Sequence, residues 1–275
     1  MVKLTVIMDN LASENKSLHN CHGLSLFIES SDLNLMFDFG SGEDTIKNFK
    51  ALNIDINNID YAICSHSHYD HAGGYKNFVR DGLKSPLIVG DSFFNKKLAF
   101  NGIKYTDLGA NFNSKFLSDN NIKLIKCDDI LKLSDECFVV GNFDRVDRTE
   151  RIPDRFVCGD LINNYKDSFN DEIVLVVKSD KGLIIIVGCS HPGIVNITRS
   201  ISKRFNESVY GIIGGTHLIE ADEDRINYTL EELMSLGVEF LAFNHCSGMK
   251  VVDMISKNNK FKSCYLAAGD CIYFS

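Results

Sequence analysis

The stretch CSHSHYDHAGG, Cys64–Gly74, sets four metal-ligating or acid–base side chains, His66, His68, Asp70 and His71, within six positions and follows them with two glycines. It comes straight after the apolar run Ile59–Cys64, which reads as a buried strand. A chain with such a cluster at a strand end must bring other groups to meet it there, or else leave it as a solvated polar loop. Alternation decides what the cluster can do. In an extended segment residues two apart point the same way, so His66 and His68 can chelate one ion. A helix or turn starting near Asp70 swings Asp70 and His71 toward a neighbouring point. One short segment then serves two metals. Histidine–carboxylate sets of this kind suit zinc first, with manganese or iron as alternatives.

Other histidines repeat the placement. His191 follows the apolar run Leu183–Val187 in GCSHPG, His217 follows Val209–Ile213 in GGTHL, and His245 follows Val238–Phe243 in FNHCSG. A single histidine at a strand end is commonly a structural hydrogen-bonder. Four strand ends doing the same thing are expected to converge, because loops at one edge of a sheet can meet at one point.

The rest of the chain supplies the frame. Val2–Met8, Leu24–Glu29 and Leu35–Phe39 read as early strands, and Ser41 is placed to cap a helix carrying Ile46 and Phe49. Glu172–Lys178 and Leu183–Val187 read as a hairpin joined by Ser-Asp-Lys-Gly. Ile194–Phe205 and Met249–Lys257 read as helices, and Glu223–Leu236 as a helix begun by Asp222 and ended by Gly237. The middle, from about 91 to 166, is the least periodic part, with short strands at Ile122–Ile125 and Phe138–Val140. It reads as a lid or insertion within a single domain over residues 1–275. Strands that cluster first and then alternate with helices, in both halves, suggest two sheets with helices outside.

Composition narrows the partners. A net charge of −8 argues against a nucleic-acid surface, and no apolar run reaches the length of a membrane span. A small-molecule substrate is expected instead. The start MVKLTVIMDN lacks the marks of a signal peptide, and the nine scattered cysteines are expected to be reduced, in a cytoplasm. The oligomeric state has no signature in the sequence.

SHSHYDH, Ser65 to His71, matches the H-x-H-x-D-H signature of the metallo-β-lactamase superfamily, and the chain resembles that superfamily along essentially its whole length. Phe37-Asp38-Phe39-Gly40 resembles the strand and turn in which the family places an Asp that supports the metal loop. His22-Gly23-Leu24-Ser25, GCSHPGI, GGTHL and HCSG bring it closest to the branch that includes the archaeal dihydropterin-forming ribofuranosylaminobenzene phosphate synthases. The resemblance implies an α+β fold, a four-layer αββα sandwich with two divalent metals at one edge, and a metal-dependent hydrolase. It implies that His66 and His68 bind one ion, that Asp70 and His71 bind a second, and that His245 completes the second. Many members carry, after a later strand, a Gly-Asp whose Asp bridges both ions. Here Gly188-Cys189-Ser190-His191 stands in its place. His191 is assigned as the third ligand of the first metal, and the bridge is left to Cys189 or Asp171.

His217 and His22 are expected to line the substrate pocket and hold an anionic or polar group, or else to hydrogen-bond neighbouring loops. The expected reaction cleaves an ester, thioester or phosphoester of a small anionic or pterin-like molecule with a hydroxide held by one or two metal ions. Asp70 orients that hydroxide or accepts its proton. A non-catalytic metal-containing small-molecule sensor on the same fold is the alternative. The complete motif argues against it, because a binding-only module need not keep Asp70.

Overall fold

A computed structural model describes residues 1–258 and 260–275. Two seven-stranded sheets dominate it. From edge to edge the first runs Cys271–Phe274, Val2–Met8, Ser25–Glu29, Asn34–Phe37, Tyr61–Ile63, Leu87–Gly90 and Leu124–Cys127. The second runs Lys262–Ser263, Phe240–Phe243, Val209–Gly214, Gly182–Val187, Val174–Ser179, Cys137–Val140 and Ile130–Lys132.

The period of two along each strand builds the layers. In Gly182–Val187, Ile184 and Ile186 pack between the sheets beside Leu35, Phe37 and Ile63. Leu183, Ile185 and Val187 pack on the opposite face, under the helices Ile194–Phe205, Glu223–Ser235 and Met249–Asn258. Across the molecule Met36, Ala62 and Cys64 turn outward to meet Ile46 and Phe49 of the helix Glu43–Ala51 and Phe78 of Tyr75–Arg80. The order is helices, sheet, sheet, helices. The chain is therefore a four-layer αββα sandwich, and a strand buried on both faces is uniformly apolar for that reason. Among the described residues, no helix is long and apolar enough to cross a membrane.

Topology aims the loops. Each sheet changes from antiparallel to parallel pairing part-way across, at Asn34–Phe37 in the first and Gly182–Val187 in the second. Parallel neighbours end at a common edge. Asp38 and Ser65 therefore leave one edge of the first sheet, as Gly188, Gly215 and Asn244 leave one edge of the second. Val2–Met8 runs in the same direction as Asn34–Phe37, since both are antiparallel to Ser25–Glu29, so Asp9 and Asn10 emerge at that edge too.

Local expectations differ from the structure in a few places. The first helix is entered through Gly42 without a side-chain cap, because the Ser41 hydroxyl contacts Cys21 Sγ at 3.3 Å instead. Asp222 does cap its helix, accepting from Arg225 N at 2.8 Å. The two-residue turn between Ser179 and Gly182 forms as the sequence suggests. The middle segment contains more structure than its pattern showed. Leu124–Cys127 ends the first sheet, Ile130–Lys132 and Cys137–Val140 end the second, and Lys97–Phe100, Tyr105–Asp107, Phe156–Gly159 and Asn164–Lys166 form a third, four-stranded sheet. Strands of three or four residues at sheet edges carry too few positions for a period to register.

Candidate metal centre

The loop after Tyr61–Ile63 is held from both sides. Asp38, at φ 60°, accepts the Ser65 N–H and hydroxyl at 2.7 Å each. Asp171 accepts the Ser67 N–H and hydroxyl at 3.0 Å each. A short helix, Tyr69–Ala72, begins directly after His68 and turns Asp70 and His71 away from the line of His66 and His68. Gly74 follows so closely under Phe39 O that no Cβ fits there.

His66, His68 and His191 form one cluster of rings, with centroids 4.8, 5.0 and 5.2 Å apart. All three are buried. His66 Nε2 and both ring nitrogens of His191 have no hydrogen-bond partner. Buried polar atoms are ordinarily paired, so His66 Nε2 and one nitrogen of His191 are open to a cation. Burial, the largest effect, holds His66 and His191 well below the usual imidazole range and lowers His68 to about 3, leaving neutral rings of the kind that ligate. Backbone contacts aim His191. Glu172 accepts the N–H groups of Ser190 and, at 2.9 Å, of His191. Phe169 stacks on the His191 ring at 3.8 Å.

A second cluster adjoins the first. His71 Nε2 lies 3.1 Å from His245 Nε2 and 3.1 Å from Cys189 Sγ. Asp70 Oδ2 lies 3.4 Å from His245 Nε2 and 3.8 Å from His71 Nε2. Asp38 accepts from His71 Nδ1–H at 2.6 Å, which turns Nε2 toward the cluster, the usual outer support of a metal-binding imidazole. Imidazole nitrogens and a thiol packed this closely repel unless a proton or cation stands among them. Burial lowers the His71 pKa, but Asp38 and Asp70 outweigh it and bring it up to about 9. Burial, partly offset by Asp70, brings His245 down to about 4. For Asp70 burial is again the largest effect, and it is outweighed by His71, His22 and His245, which hold its carboxyl well below the usual range. The nitrogen, carboxylate and thiol donors fit a divalent transition metal.

Cys189 belongs to both clusters. Its sulfur groups with His66 and His191 and also with His71 and His245, each set within 4.8 Å. Asp171 faces elsewhere, with one oxygen on Ser67 and the other accepting from Lys97 Nζ at 2.7 Å. His22 comes to the second cluster from the opposite side, its Nε2 3.0 Å from Asp70 Oδ2 and its side chain 55% exposed. His217 stands 4.5 Å from the His191 ring, with Phe156 at 5.7 Å, and both histidines line a cavity of about 1080 Å³. Arg145 and Thr149–Asp154 of the middle segment line it too. Sequence reasoning missed Glu172, Phe169, Asn10 and also Asp9, which accepts the His245 N–H at 2.9 Å. The last two end the first strand in the same way as the histidines end theirs, which is the one signal that could have flagged them.

Comparison with known proteins agrees with this geometry. A family model described as the metallo-beta-lactamase superfamily matches residues 20–91. A protein of Methanocaldococcus jannaschii named 7,8-dihydropterin-6-methyl-4-(beta-D-ribofuranosyl)-aminobenzene-5'-phosphate synthase is 33% identical, over 99% of this chain and 97% of its own. A solved structure described as a metal-dependent hydrolase of the beta-lactamase superfamily superposes with a TM-score of 0.84 at 28% identity, over 100% of both chains. The metallo-beta-lactamase fold protein YhfI of Bacillus subtilis shares the fold, with a TM-score of 0.57 at 12% identity, over 99% of this chain and 100% of its own.

Proposed function

The chain belongs to the metallo-β-lactamase superfamily, and on that premise we propose that it is a metal-dependent hydrolase of a small anionic or pterin-like molecule. The observation that carries the reading is the set of unpartnered buried nitrogens on His66 and His191, beside His71, His245 and Cys189. In this reading His66, His68 and His191 would hold one ion. Asp70, His71 and His245 would hold the other, and Cys189, whose sulfur lies within reach of both sets, would be open to either. When bound, two divalent ions, zinc before manganese or iron, polarise the bond under attack and make water nucleophilic at neutral pH.

The chain's own residues do the rest. Asp70 Oδ2 accepts the proton of the attacking water, with His22 Nε2 3.0 Å behind it. His217 lines the cavity beside His191, with Phe156 packed against its ring. Arg145, which donates to the Phe169 carbonyl at 3.3 Å, brings positive charge to the same cavity, whose lining mixes basic and acidic side chains. Arg145 and Thr149–Asp154 line the cavity together with His191, so we place the lid, and with it substrate choice, in that part of the middle segment.

A second reading is carried by the relative named a synthase. A cavity of about 1080 Å³ exceeds what one small ligand fills and has room for an organic nucleophile in place of water. Metal-loaded protein offered a panel of phosphodiesters, thioesters and lactones tests the first reading, with cleavage of at least one class expected. Conversion only when an organic nucleophile is added supports the second. Bound metal with no turnover of any kind contradicts both and favours the sensor.

A further inference from the structure

Asn10 stands just past the first strand, and its side-chain amide touches both His22 and His245. Backbone groups that have no choice of role identify its two ends. The Gly23 N–H can only donate, and it faces Oδ1 at 3.0 Å. The His245 carbonyl can only accept, and it faces Nδ2 at 3.3 Å. Oδ1 is thus the acceptor, and His245 Nδ1, 2.9 Å from it, must carry a proton. Nδ2 is the donor, and His22 Nδ1, 3.2 Å from it, must be bare. A neutral imidazole carries one proton, so the two rings hold it at opposite nitrogens. His245 is left with a lone pair at Nε2, directed at His71 and Asp70. His22 is left with an N–H at Nε2, directed at Asp70 Oδ2.

We propose that Asn10 is the positioning residue that sorts these two imidazoles, making His245 a metal ligand and His22 a proton-bearing donor to Asp70 that is not a ligand. The inference rests on the reading of the site given above. His22, Asp70 and His245 would otherwise pass for a metal-binding group, since their ligand atoms lie within 4.8 Å of one another. With its side chain 55% exposed, His22 is the solvent-facing end of the pair it makes with Asp70. Its Nε2–H can donate a hydrogen bond to Asp70 or to an oxygen of the substrate.

Nitrogen NMR of the metal-free full chain, labelled at histidine, reports the tautomer ring by ring, and single histidine substitutions assign the signals. His245 is expected as the Nδ1–H form and His22 as the Nε2–H form. Asn10→Asp keeps the acceptor opposite His245 but replaces the donor opposite His22. His245 is expected to keep its tautomer, while His22 takes a proton at Nδ1. Asn10→Ala is expected to weaken one of the two ions about 10–100-fold, the usual cost of losing an outer partner of a ligand. His22→Ala is expected to leave the ion content unchanged. A bare Nε2 on His22 in the unsubstituted chain, or loss of an ion in His22→Ala, overturns the inference. The tautomers of the unsubstituted chain decide the matter even if the Asn10 variants fail to fold. A chain that binds no ion defeats the reading of the site. A wrong tautomer with both ions bound defeats only the role of Asn10.

Discussion

Asp70→Asn, measured at saturating metal, is expected to lower turnover about 10²–10⁴-fold, the range for loss of a positioned general base. That is about 3–5 kcal/mol of transition-state stabilisation. The carboxylate sits at a crowded point. One oxygen, Oδ2, lies 3.0 Å from His22 Nε2, 3.4 Å from His245 Nε2 and 3.8 Å from His71 Nε2. The amide keeps the shape but loses the negative charge and the capacity to accept a proton. Substrate contacts from the cavity wall are untouched, so substrate binding should change far less than turnover. Steady-state kinetics with a substrate found in the panel checks this. Unchanged turnover removes Asp70 from the mechanism.

His191→Ala is expected to empty one of the two ion positions, taking metal content from about two per chain to about one. The side chain is aimed by two independent restraints, the Glu172 carboxylate on its backbone and Phe169 stacked on its ring. Both ring nitrogens are buried without a partner, which is costly for a ring with no ligand to hold. Without it only His66 and His68 of that cluster of rings remain. Cys189→Ser leaves an oxygen donor in place and should be tolerated better. Metal titration of the two variants separates the cases. If His191→Ala keeps both ions and weakens them only about 10–100-fold, His191 is an outer partner of some other ligand.

The parts of this site that could be read in the sequence were local. His66, His68, Asp70 and His71 are placed by alternation and one helix start, both properties of a few adjacent residues. His191, His217 and His245 could be found because each follows an apolar run. Cys189 was left open against Asp171. Deciding between them requires knowing that Lys97 and Ser67 engage Asp171, and those contacts lie 74 and 104 residues apart in sequence. Asn10 meets His245 across 235 residues, and no spacing rule spans that distance. Two sheets with helices outside were legible from the longer buried strands, and the four-layer sandwich from the resemblance carried by the metal-loop motif. The edge strand Ile130–Lys132 and the third sheet's Asn164–Lys166 were not, because each offers only three residues.

Metal content bears most directly on the whole reading. Protein purified without a polyhistidine tag and never exposed to chelator is expected to hold about two transition-metal ions per chain by elemental analysis, zinc foremost. A chain free of metal as purified that also fails to take up zinc, manganese or iron would contradict it, and the histidines at these strand ends would then be structural.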